Sequence, residues 1–157
     1  MQRCNALMSP EPGSAISTRE GDRLEETPMI QICIVDDDAS VRKSLANLLK
    51  SAGYVGVPFA CGEAFLASAA VDQAKGVLLD LRMHGMHGLE VQHRLRTMDK
   101  RIGVICMSAH DDPASVRAAL QGGALCFLRK PFSEDALLMA LARLVEDGSA
   151  ELPSAPP

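Results

Sequence analysis

The sequence has no tryptophan, one tyrosine and only 3% aromatic residues. Nucleobase-stacking platforms are built from aromatic rings, so composition argues against a single-strand-binding surface. An excess of positive charge is also missing: 16 Lys and Arg stand against 20 Asp and Glu, for a net charge of −4. Without bulk attraction to a phosphate backbone, direct nucleic-acid binding by this chain is not expected. No apolar run reaches the ~18 residues a membrane helix needs. The N-terminal stretch, with Pro10, Glu11 and Pro12, lacks the apolar centre of a secretory signal. The five cysteines, Cys4, Cys33, Cys61, Cys106 and Cys126, form no C-x-x-C pair. Three of them lie in apolar runs, which predicts reduced, buried thiols in a cytoplasmic protein without membrane contact.

What is present suits one ordinary domain: 157 residues, 47% hydrophobic and 23% charged. Residues 1–28 are rich in Ser, Pro, Gly, Glu and Arg without sustained period and read as a flexible extension, with Met29 a possible internal start. Residues 148–157, with three prolines, read as a linker or disordered tail. The ordered domain is expected over 29–147.

Within it, short apolar runs alternate with helical patterns. Residues 30–35 form a near-continuous apolar run, as a parallel strand covered on both faces requires. Asp38 is placed to cap the next helix, in which Val41, Leu45, Leu48 and Leu49 recur at helical spacing until Gly53. A shorter strand follows over 54–58, then a small-residue helix over 62–70. Strands are expected at 76–79, 102–107 and 124–128. Helices are expected over 89–98, from Pro113 to Gln121, and after Ser133. Five strand–helix units imply an α/β fold, a parallel sheet with helices on both faces. Periodicity alone does not choose between the two common strand orders. Either order collects ligands outside the carboxyl ends of the strands.

The polar outliers sit at those ends. Asp36, Asp37 and Asp38 follow the first strand, Asp80 the third, Ser108 the fourth and Lys130 the fifth. Carboxylates gathered at one edge repel unless a cation neutralises them. Oxygen ligands without His or Cys point to a hard cation, Mg²⁺ above others. With a fixed ammonium and a hydroxyl beside them, they describe a site for a phosphoryl group, and a carboxylate can itself accept one.

The stretches IVDDD at 34–38, LLDLRM at 78–83, GLE at 88–90, MSAHDD at 107–112 and FLRKPF at 127–132 resemble the receiver domain of two-component response regulators. VRKSLANLL, SAH and KPF are most similar to receivers of nitrogen-fixation-type regulators with a LuxR-type output. The resemblance implies a flavodoxin-like (βα)5 fold with strand order 2-1-3-4-5. It makes Asp80 the phosphoryl acceptor, with Mg²⁺ held by Asp36, Asp37 (most directly), Asp80 and the Arg82 carbonyl. It makes Ser108 a hydrogen-bond donor to the phosphoryl group and Lys130 its cationic partner, with a cis bond to Pro131. Phe127 becomes an aromatic switch that follows Ser108 inward. Phosphorylation then reshapes the face made by the fourth helix, fifth strand and fifth helix. The implied partners are a histidine kinase or phosphotransfer protein and, after phosphorylation, a second copy. A signalling module rather than an enzyme is implied. Its output is either that of a single-domain regulator or that of a receiver belonging to a longer transcription factor.

One position departs from the family, which usually has Pro where this chain has His84. Pro restricts that loop and His does not, so a looser loop and weaker Mg²⁺ binding are expected. The sharper alternative is a pH- or metal-sensitive loop, with His87 nearby. Arg82 and His110 are expected to flank the phosphoryl site. Two other functions compete. A haloacid-dehalogenase-type phosphatase would use Asp36 and Asp38 as its D-x-D pair, but Asp111 and Asp112 stand too close to Ser108 to supply its later acidic pair. A docking module that is never phosphorylated would leave the intact Asp, Ser and Lys set unexplained.

Overall fold

Ile32 and Ile34 turn to one side of the first strand, Cys33 and Val35 to the other, and all four are fully buried. This two-sided burial is what the continuous apolar run predicts for a central parallel strand. The computed structural model describes residues 29–110 and 112–150. The extension expected at 1–28 lies outside them, as does Cys4.

The elements run β1 (Ile30–Val35), α1 (Ala39–Ser51), β2 (Tyr54–Phe59), α2 (Gly62–Leu66), α3 (Ala70–Gln73), β3 (Gly76–Asp80), α4 (Gly88–Thr97), β4 (Gly103–Ser108), α5 (Pro113–Gln121), β5 (Cys126–Arg129) and α6 (Glu134–Ala150). The five strands form one parallel sheet in the order β2-β1-β3-β4-β5. The order is the one the resemblance implies, and the fold is flavodoxin-like α/β. Cys33, Phe65, Val77, Leu79, Val91 and Cys106 pack on the face covered by α2 to α5. Ile32, Leu49, Leu78, Ile105, Leu137 and Leu141 pack on the face covered by α1 and α6.

Local chemistry sets the boundaries. Asp38 caps α1, accepting from the backbone N–H of Ser40 and Val41. Gly53 takes φ +93° after that helix, a conformation that favours glycine. Pro58 falls within β2, which its position at the sheet edge permits. Ser133 Oγ accepts from Ala136 N at the start of α6.

Two expectations are corrected. The single helix over 62–70 is two short ones, because Ser68 Oγ accepts from Ala70 N and starts a new turn. The last helix runs past residue 147 to Ala150; Gly148 lowers helix propensity by only about 1 kcal/mol and does not end it. The remainder of the expected tail, 151–157, lies outside the described residues. Among the described cysteines all are free, Cys33 and Cys106 buried, Cys61 and Cys126 half-buried. Burial pushes the Cys33 and Cys106 thiols up to about 12, so both stay protonated and inert.

Candidate functional site

Four strands present polar residues at one edge of the sheet. Asp36 and Asp37 follow β1, Asp80 ends β3, Ser108 ends β4, and Lys130 follows β5. Parallel register aligns the ends: Asp80 pairs with Met107 and Ser108 with Arg129. Carboxylate oxygens of Asp36, Asp37 and Asp80 lie within 4.8 Å of one another.

Asp36 is fully buried. Its Oδ1 accepts from Asp38 N at 2.9 Å and its Oδ2 from Lys130 Nζ at 2.7 Å. Its own carbonyl accepts from Arg42 Nη1 at 2.7 Å. Sequence reading missed Arg42; its only signal was a place on α1 just beyond the acidic run.

Asp80 is 4% exposed. Its Oδ1 accepts from Arg82 N at 3.2 Å and lies 3.6 Å from Lys130 Nζ. Burial, then the Asp36 charge, pushes its carboxyl up to about 6, against the pull of Lys130. The next turn closes tightly on it: Gly88 N donates to the Leu81 carbonyl at 3.1 Å. A Cβ on Gly88 would fall 2.6 Å from the Asp80 carbonyl oxygen, so only glycine lets α4 start there.

Ser108 is buried, and its Oγ accepts from His110 N at 3.0 Å. Phe127 is half-buried against the core beside α5. The Lys130–Pro131 bond is cis. Arg82 reaches Asp112 at 3.7 Å, with both side chains about half exposed. Such a pair contributes little to stability.

Asp38 does not join the acidic cluster, since its carboxylate caps α1. That removes the second acid the D-x-D phosphatase pattern requires.

The loop expected to be looser at His84 holds that residue against Asp37. Both the backbone N–H and ring Nδ1 of His84 meet Asp37 Oδ2, at 3.0 and 2.8 Å. Leu81, Met83 and Met86 of the same loop are buried. A proline could not supply that N–H. The two hydrogen bonds hold the Asp37 carboxyl below the usual carboxylate range. His87 serves the helix instead, accepting from Leu89 N at the start of α4.

The donor set fits a hard cation. Octahedral Mg²⁺ bonds oxygens at ~2.1 Å, which places neighbouring ligands ~3–4 Å apart. Three carboxylates within 4.8 Å meet that spacing with oxygen alone. Arg82, whose carbonyl the resemblance adds, donates its backbone N–H to Asp80 Oδ1.

Known proteins resemble this chain. Residues 32–142 match the model of the response regulator receiver domain. Nodulation protein W of Bradyrhizobium diazoefficiens is 36% identical over 128 residues, covering 81% of this chain and 56% of that protein. The transcriptional regulatory protein FixJ of Azorhizobium caulinodans is 36% identical over 127 residues, covering 78% of this chain and 60% of its own length. Among solved structures, the response regulator StyR is 40% identical with a TM-score of 0.71, covering 78% of this chain and 62% of that one. The Vibrio cholerae chemotaxis protein CheY4 is 27% identical with a TM-score of 0.70, covering 74% of this chain and 99% of that one. The chain thus spans little more than half the length of these curated relatives. Family model, relatives and sheet order converge: the chain belongs to the response regulator receiver domain family of two-component systems.

Proposed function

We propose that this chain accepts a phosphoryl group on Asp80 from a histidine kinase or phosphotransfer protein. The observation that carries the reading is the buried Asp80 carboxylate at the end of β3, packed against Asp36, Asp37 and Lys130. An Asp80 oxygen forms the new O–P bond while the N–P bond to the donor imidazole breaks, leaving an acyl phosphate. Asp36, Asp37, Asp80 and the Arg82 carbonyl would hold Mg²⁺, which would supply charge neutralisation for the transferring group. Lys130, now bonded to Asp36, has Asp80 within 3.6 Å and can turn to a phosphoryl oxygen there.

The new group brings close to two negative charges and strong acceptors. Ser108 donates its hydroxyl to it, a donor that its bond as acceptor for His110 N leaves free. The loop after β4 follows, and Phe127 moves into the space released. With the second helix split in two, the face that changes is the one formed by α5, β5 and α6. It then binds a partner or a second copy, as a population shift between two packings. Relatives named as transcriptional regulators support an output in transcription regulation. No described helix is long and apolar enough to cross a membrane.

The test is intact mass after incubation with phosphoramidate and Mg²⁺. One added phosphoryl group, lost in Asp80→Asn and on chelation with EDTA, is expected. No adduct in the wild type contradicts the reading, and catalytic turnover of a generic phosphate ester would favour the phosphatase.

A further inference from the structure

His84 stands at a family position where its ring is unexpected, and the ring does one thing. Its side chain is fully solvent-exposed and packs on nothing, yet Nδ1 lies 2.8 Å from Asp37 Oδ2. An ionised carboxylate only accepts, so Nδ1 carries the proton of that bond. The backbone N–H of the same residue donates to the same oxygen at 3.0 Å. Both bonds leave Oδ1 of Asp37 without a donor from His84. His84 itself is not among the residues whose donor atoms converge in the acidic cluster. It therefore acts on the cluster through Asp37.

The loop that carries His84 is anchored independently, by the buried side chains of Leu81, Met83 and Met86 and by the Gly88 N–H on Leu81. A donor on an anchored loop fixes a carboxylate rotamer before a cation arrives. Asp37 is the more open of the two acids after β1, its side chain 27% exposed against full burial for Asp36. It is the ligand with the most rotamer freedom to lose on binding, so fixing it lowers the entropic cost of binding.

We propose that His84 is a positioning residue for Mg²⁺, orienting the Asp37 carboxylate through paired main-chain and ring hydrogen bonds. This rests on the proposed reading of the acidic cluster as a Mg²⁺ site. It inverts the expectation that a histidine here weakens the site relative to proline. Hydrogen bonds to metal-ligating groups are typically worth ten- to a hundredfold in affinity. The ring is exposed, so its own share is smaller, about three- to tenfold.

The test is calorimetric titration of the full chain with Mg²⁺ alone, without phosphodonor. His84→Ala keeps the main-chain bond and loses the ring; its affinity is expected to fall about three- to tenfold. His84→Asn places an amide donor where Nδ1 stands and is expected to restore affinity to near wild type. His84→Pro loses both donors and is expected to bind more weakly than His84→Ala. In an Asp37→Asn background the His84→Ala change is expected to have no further effect, since the coupling runs through that carboxylate. Equal affinity for wild type and His84→Ala, or failure of Asn to rescue, overturns the proposal while leaving the Mg²⁺ site standing. Tighter binding by His84→Pro does the same. No Mg²⁺ binding by the wild type overturns both.

Discussion

Lys130 Nζ lies 2.7 Å from Asp36 Oδ2, joining residues 94 positions apart across the edge of the sheet. The lysine is partly exposed and the aspartate fully buried. Their bond holds the β5–α6 loop against the end of β1 and keeps an ammonium beside Asp80. The pair therefore ties the stability of the edge to the charge around Asp80.

Removing one partner tests this directly. Lys130→Met leaves the Asp36 carboxylate buried with one donor fewer. Breaking buried pairs costs about 3–5 kcal/mol, and partial exposure of the lysine lowers that to about 2–4 kcal/mol. Urea unfolding of the metal-free protein at pH 7 measures it. A loss below about 0.5 kcal/mol would mean the pair is solvated like a surface one.

The raised Asp80 carboxyl gives a pH signature. Between 3.8 and about 6 the folded state holds a proton at Asp80 that the unfolded state releases. Stability of the metal-free protein is therefore fullest, for this group, below pH 3.8 and falls as pH rises through about 6. Asp80→Asn removes the burial cost and is expected to stabilise the metal-free protein by about 1–3 kcal/mol at pH 7. Saturating Mg²⁺ is expected to stabilise the wild type more than Asp80→Asn. Thermal unfolding from pH 4 to 8, with and without Mg²⁺, reads both effects.

Asp38 separates the two phosphate chemistries. As a helix cap its replacement by Ala costs about 1 kcal/mol, read as a lower urea midpoint. Asp80→Asn is expected to lose phosphorylation, whereas Asp38→Ala is expected to be phosphorylated like the wild type. Abolished phosphorylation in a folded Asp38→Ala would return weight to the D-x-D pattern.

Gly88 tests the tight turn beside Asp80. A Cβ there meets the Asp80 carbonyl and the Leu81 Cα, at 2.6 and 2.7 Å, and neither backbone atom can yield easily. Gly88→Ala is expected to cost about 2–3 kcal/mol and to slow phosphorylation of the remaining folded protein. Unfolding and adduct formation measured on the same sample check both parts.

Much of the fold was legible because its signals were local. The apolar runs ending in Asp36, Asp80 and Ser108 have no other good explanation than parallel strands, and Asp38, Gly53, Pro113 and Ser133 mark helix ends by their own chemistry. The split between α2 and α3 was not legible, since Ser68 reads equally as a tolerated helix residue or a new cap. Strand order came from the family resemblance, because periodicity carries no information on which strands neighbour. At the site, strand-end logic brought Asp36, Asp37, Asp80, Ser108 and Lys130 to one edge. The contacts of Arg42 and His84 escaped it, because each depends on where a side chain lands across elements. The buried Leu81, Met83 and Met86 were the available sign that the His84 loop is anchored.

Placement of the phosphoryl group on Asp80 can be read directly. The protein treated with phosphoramidate and Mg²⁺ can be reduced with borohydride, which converts an aspartyl phosphate to homoserine, and then mapped by peptide mass spectrometry. Homoserine at position 80, absent without Mg²⁺ and absent without phosphodonor, is the predicted result. Homoserine at position 36, 37 or 38 instead, or at none, would contradict it.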